Sequence, residues 1–192
     1  MRCRVPAPVG ATEGLMTDST FYVATPARVR LRTPAAAPEL PRSAPALDAM
    51  TDLATEAAHV VSVERQIDDA LRDMIAFGVR LLLVVDDHDV LGVVTSYDIS
   101  GERPIQFLQD PFRSGKPHRH ADITVADIMT PVGEIRPLRF GWVAGATAAD
   151  VAALFQSRLD THLLVAEDEP GGGVIIRGIF SRTRLERQLD GQ

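Results

Sequence analysis

Residues 82–98, Leu-Leu-Val-Val-Asp-Asp-His-Asp-Val-Leu-Gly-Val-Val-Thr-Ser-Tyr-Asp, return in diverged form at residues 163–184. Leu82-Leu83-Val84 falls on Leu163-Leu164-Val165 at an offset of 81. After a longer glycine-containing turn the offset becomes 86, so that Gly92 falls on Gly178, Thr95 on Ser181 and Asp98 on Arg184. A repeat of this period is one supersecondary unit that cannot bury its apolar face alone, so the copies must pack on each other.

Each copy reads the same way. In the first, Val60 to Val63 is a short strand, and the segment 66–77 is a helix in which Ile67, Ala70, Leu71, Met74 and Ile75 make one apolar stripe. Gly78 stops that helix. Residues 80–85 are too apolar to face water, Asp86, Asp87 and Asp89 make a turn, and a second strand follows. In the second copy a helix over 147–158 with Thr147 as its cap leads to a strand from Leu163, a turn over 167–173, a strand over 174–180 and a last helix from Ser181. The expectation is an α/β (α+β) fold of two strand-helix-strand-strand-helix units, residues 47–112 and 122–192, packed about a pseudo-twofold axis and joined by a linker at 113–121.

Composition sets the frame around this body. Seven of the 13 prolines precede residue 47, so residues 1–46 are expected to be an extended arm, with one short strand at 21–24 and 29–32. Met16 offers a second start residue. The arm carries six arginines against three acids, while the whole chain has a net charge of -6, an acidic balance that speaks against a nucleic-acid partner. One cysteine excludes an intrachain disulfide, and the longest aliphatic run is far short of a membrane span; the expectation is a cytoplasmic protein without a membrane partner.

The tandem pattern, Leu-Leu-Leu-Val-Val-Asp, a short turn, then Leu-Gly-Val-Val-Thr-Ser-Tyr-Asp-Ile, resembles the CBS domain, and two copies resemble a Bateman module. The resemblance covers about residues 47–192 and is nearest to small free-standing bacterial CBS-pair proteins. It implies a non-catalytic regulatory module that senses an adenosine-containing ligand (AMP, ADP, ATP or S-adenosylmethionine) in clefts between the repeats, and it implies a homodimer. No cofactor is called for beyond that ligand. A second reading is a dimeric interaction scaffold with a degenerate pocket, whose arm engages an unidentified protein partner.

The family's ribose and phosphate motif, Gly-x-x-Thr/Ser-x-x-Asp/Asn, carries over onto Gly92, Thr95 and Asp98. A carboxylate at Asp98 suits a ribose diol, and Thr95 with the amides of a helix start suits a phosphate. Thr95 and Asp98 also fit a capping box that needs no ligand. In the second copy Gly178 and Ser181 match, but Arg184 has no acceptor and cannot hold ribose hydroxyls; it is expected to contact a phosphate, or to pair with Glu186 or a surface acid. One nucleotide site, at Asp98, is therefore expected rather than two. Arg80, just before its strand, is a further phosphate candidate or a surface ion pair.

His118 and His120 are too few for a metal site, and Pro170-Gly-Gly-Gly173 lacks the Lys-Ser/Thr of a nucleotide-hydrolysing loop. No catalytic triad or carboxylate pair suggests itself, so catalytic residues are expected to be absent.

Overall fold

The computed structural model describes residues 39–87, 89–109 and 119–189. The strand expected within the arm and most of the expected linker lie outside them. A turn of 3-10 helix, Ala46–Ala49, leads into β1 (Thr51–Asp52) and β2 (Val60–Val61), then α1 (Ile67–Phe77), β3 (Leu81–Asp86), β4 (Asp89–Thr95), α2 (Ser96–Ser100) and α3 (Arg103–Gln109). The second half runs α4 (Val125–Ile128), β5 (Thr130–Pro131), β6 (Leu138–Arg139), α5 (Phe140–Val143), α6 (Ala148–Ser157), β7 (His162–Asp168), β8 (Val174–Ser181) and α7 (Arg182–Leu189).

Two four-stranded sheets follow, in the orders β2-β3-β4-β5 and β6-β7-β8-β1. Each has one parallel pair followed by two antiparallel pairs. The register slips between Val84 and Val85 in one sheet and between Val165 and Ala166 in the other, again 81 residues apart. The internal repeat is thus a repeat of chain path, down to its β-bulge.

Period-two alternation divides β3 between two cores. Leu82 and Val84 join Ile67, Ala70 and Met74 of α1, while Leu81 and Leu83 turn the other way to meet Val93 and Leu164 in a layer between the sheets. In β7, Leu163 and Val165 likewise pack on α6 and α7 through Val151, Phe155 and Leu185. This is why both central strands read as unbroken apolar runs. Gly78 takes φ 68° and ψ 25° and its N–H bonds the Ile75 carbonyl, which ends α1 as a left-handed cap. Ile75, placed in the stripe by sequence, stands 72% exposed. It lies next to Met74 around the helix, outside the narrow face that Ile67, Ala70 and Met74 bury.

The halves exchange their opening segments. β1 precedes the first repeat yet pairs with β8, Thr51 opposite Ile179; β5 precedes the second yet pairs with β4, Thr130 opposite Val93. The side chains follow: Ile123, Val125 and Ile128 complete the first core, and Ala46, Ala49 and Met50 complete the second. Neither half closes its core without a piece of the other.

Local signals hold the helix starts. Thr147 caps α6, its Oγ1 accepting from Asp150 N at 3.3 Å while the Asp150 carboxylate accepts from Thr147 N at 2.8 Å, which holds the Asp150 carboxyl below its ordinary range. Thr147→Ala is expected to lower Tm by about 2–4 °C, a loss a thermal melt will read.

Candidate functional site

The layer between the sheets does not fill the whole seam. Two cavities remain, about 340 and 570 Å³, and both are walled by Leu81 and His162. These residues are equivalent, 81 apart, each opening its central strand. His162 Nδ1 lies 3.0 Å from Thr161 Oγ1. Its imidazole is pushed down to about 4, first by burial and then by the charge of Arg80, against an opposing pull from Asp98. It is neutral at neutral pH.

The smaller cleft brings together Thr95, Tyr97 and Asp98 with Glu134, Ile135 and Arg136 of the turn before β6 and Arg158 to Thr161 after α6. Here the capping box exists as such. Asp98 Oδ2 accepts from Thr95 N at 2.8 Å and from Thr95 Oγ1 at 2.6 Å, and Thr95 Oγ1 accepts from Asp98 N at 3.2 Å. Asp98 Oδ1 meets Arg103 Nε at 3.2 Å, and Arg103 goes on to the Ile128 carbonyl and, at 3.0 Å, to Thr130 Oγ1. Asp98 therefore ties α2 to the exchanged segment. The Thr95 hydroxyl proton is committed to Asp98, and the remaining acceptor capacity of the carboxylate lies on Oδ1. Arg158, also in this cleft, faces a nearby acid: its Nε lies 2.6 Å from Asp160 Oδ2.

The larger cleft collects Arg80 and His59 from the first repeat and Ser181, Thr183, Arg184 and Arg187 from the second, beside an aliphatic wall of Leu53, Ala58, Val79 and Ile179. No Asp or Glu lines it. Arg184 Nη1 donates to Thr51 Oγ1 at 2.9 Å rather than pairing with Glu186, and Arg187 Nε donates to the Thr183 carbonyl at 3.2 Å. His59 stacks on Phe77 with ring centroids 4.8 Å apart.

The residues picked out by sequence thus divide. Thr95 and Asp98 line one cleft, and Arg80, Ser181 and Arg184 the other. Gly92 and Gly178 serve the strand exchange: a Cβ on Gly92 would strike the Thr130 carbonyl oxygen and come within 3.2 Å of Pro131 Cα, and one on Gly178 would meet Met50, its Cγ at 2.8 Å. Backbone does come close at these glycines, and the approaching chain is the other half's opening strand. His162, His59, Arg103 and Arg187 were missed by sequence. His162 alone had a signal, since it falls 81 residues after Leu81, a polar residue where the first copy has an apolar one. Among the described residues no group of three or more His, Cys, Asp or Glu gathers as a metal site, and no helix is long and apolar enough to cross a membrane.

Residues 49–103 match the CBS domain. Among curated proteins, none matches the chain. Solved structures do. The CBS-pair protein CBSX2 from Arabidopsis thaliana, in complex with AMP, is 26% identical over 75% of this chain and 94% of its own, at a TM-score of 0.51. An uncharacterized conserved protein from Pyrococcus horikoshii is 25% identical over 76% of this chain and 92% of its own, at 0.50. Protein MJ1225 from Methanocaldococcus jannaschii, 17% identical over 75% of this chain and 47% of its own, shares the fold at 0.50. The molecule is an α/β tandem-repeat protein of two sheets joined through a common seam. Its residues 49–103 are similar to the CBS domain, and its fold is similar to that of CBS-pair proteins.

Proposed function

We propose that this protein is a non-catalytic regulatory module that takes an adenosine-containing ligand in the seam between its repeats. The observation that carries the reading is the open seam: side chains leave two clefts there, each lined by polar residues from the repeated motif and by aliphatic residues from the sheets. The fold shared with AMP-bound CBSX2 supports it. In the smaller cleft a ribose hydroxyl would meet Asp98 Oδ1, and a phosphate near Thr95 would recruit the hydroxyl proton now given to Asp98. Both repeats line each cleft, so a ligand that prefers one arrangement of the two sheets shifts the module towards it. Pairing of two copies belongs to the same reading; Ile75 and Phe77 stand exposed on α1.

Calorimetry with AMP, ADP, ATP and S-adenosylmethionine tests this directly. Asp98→Ala is expected to weaken the preferred ligand about ten- to a hundredfold, roughly 1.4–2.7 kcal/mol. A thermal melt must accompany it, because the substitution also removes the carboxylate half of the α2 capping box and the Arg103 tie. Unchanged affinity takes Asp98 out of the site; no binding by any of the four at millimolar concentration leaves the interaction-scaffold reading in its place.

A further inference from the structure

The turns that follow α1 and α6 occupy equivalent places in the two repeats, and each walls a different cleft: Gly78, Val79 and Arg80 the larger, Arg158 to Thr161 the smaller. Backbone fixes the first of them. Gly78 is left-handed, and the N–H groups of Gly78 and Val79 donate to the Ile75 and Met74 carbonyls, which closes α1 on itself. The second copy lacks this device. Leu159 stands where the first copy has Gly78, and α6 ends at Ser157 with Arg158 in an extended conformation. Carbonyls at the end of a helix still need donors.

They come from Arg182, the first residue of α7, which stands where the first copy has Ser96. Its Nη2 donates to the Arg158 carbonyl at 2.6 Å and to the Asp160 carbonyl at 2.8 Å, and its Nε donates to the Asp160 carbonyl at 3.0 Å. Its backbone N–H donates to the Thr161 carbonyl at 2.9 Å. Only that last bond has a counterpart in the first copy, from Ser96 N to the Arg80 carbonyl, because the others need a guanidinium. The guanidinium carbon itself lies 5.3 Å from the ring centroid of buried Phe155, so the fork is anchored on the second core. One side chain thus holds the wall of the smaller cleft where backbone holds the wall of the larger.

We propose that Arg182 is a positioning residue for the ligand site of the smaller cleft: its guanidinium sets the turn over residues 158–161 and thereby presents Leu159 to the ligand. The proposal rests on the reading that the seam between the repeats holds a ligand, and it assigns one wall of that site to a residue outside the cleft. Leu159 lines the cleft and is fully exposed, so an apolar ring seated there covers aliphatic surface that the protein leaves in water. A wall that is ordered before the ligand arrives binds it more tightly than one the ligand must order.

Calorimetry on the full chain tests this with AMP, ADP, ATP and S-adenosylmethionine, the one that the parent binds most tightly serving as the probe. Arg182→Gln is expected to weaken the probe about tenfold, and Leu159→Ser, at a side chain outside both helix-packed cores, about threefold. Because the guanidinium acts by presenting Leu159, the two losses do not add: in the Arg182→Gln background, Leu159→Ser is expected to change affinity less than about twofold. A thermal melt accompanies each variant. Losses that multiply in the double variant, or parental affinity in either single variant, overturn the proposal and leave nucleotide binding at Asp98 standing. Should Arg182→Gln melt far below the parent, Leu159→Ser decides alone, and parental affinity there overturns the proposal. A parent that binds none of the four sinks the proposed function itself, so the two failures are told apart before any variant is made.

Discussion

Gly92→Ala is expected to destabilise the protein by about 2–3 kcal/mol, and Gly178→Ala, the equivalent change in the second repeat, by only about 1 kcal/mol. The two glycines carry the same motif position and meet opposite obstacles. At Gly92 the new methyl group runs into the Thr130 carbonyl and Pro131 Cα, which are backbone of β5 and are fixed by its pairing with β4. To make room, the exchanged strand must shift, and with it Val125 and Ile128, which are plugged into the first core. At Gly178 the obstacle is the thioether of Met50, an unbranched side chain with several rotatable bonds. Both alanines also lose some unfolded-state freedom, which returns roughly 0.4–1 kcal/mol and is included in both figures. Urea denaturation of the two variants beside the parent measures the difference. A Gly92→Ala protein with parental stability and weakened nucleotide affinity would show that ligand, rather than chain, makes the close approach at that glycine.

That contrast marks how much of the structure can be read from the sequence. Helices and central strands announce themselves because burial imposes a period: 3.6 along Ile67, Ala70 and Met74, and unbroken apolarity along β3, whose two faces serve two cores. The exchange of opening segments does not, because β1 and β5 are two residues long and two residues have no period. Met50-Thr51 and Met129-Thr130 are alike in sequence, but likeness is silent on which sheet each one joins. The site divides in the same way. Thr95 and Asp98 were legible as a motif, since a capping box and a ligand motif share the same spacing, and the structure shows the box. The larger cleft was not legible as a unit, because Arg80 is about a hundred residues from Arg184 and Arg187 and nearly every basic residue in this chain is arginine. What distinguishes these three is the lack of a carboxylate around them, a property of the folded cavity alone.

His162→Leu is expected to abolish an acid sensitivity worth up to about 3 kcal/mol. The folded-state imidazole titrates at about 4, against an ordinary value of 6.5 in the unfolded chain. Between those two values the unfolded state binds a proton that the folded state refuses, so stability is fully present above pH 6.5 and declines as the pH falls toward 4. Below 4 both states are protonated and the decline stops; the interval, multiplied by about 1.36 kcal/mol per pH unit, sets the limit quoted. Burial is the main cause, followed by Arg80, while Asp98 works in the opposite sense. Leucine is the residue the first repeat carries at the equivalent position, Leu81, where it is buried in the layer between the sheets. Carboxylates titrate through the same window in both proteins, so the difference between the parent and variant stability curves isolates the imidazole. That difference should widen steadily from pH 6.5 to pH 4, and parallel curves would contradict it.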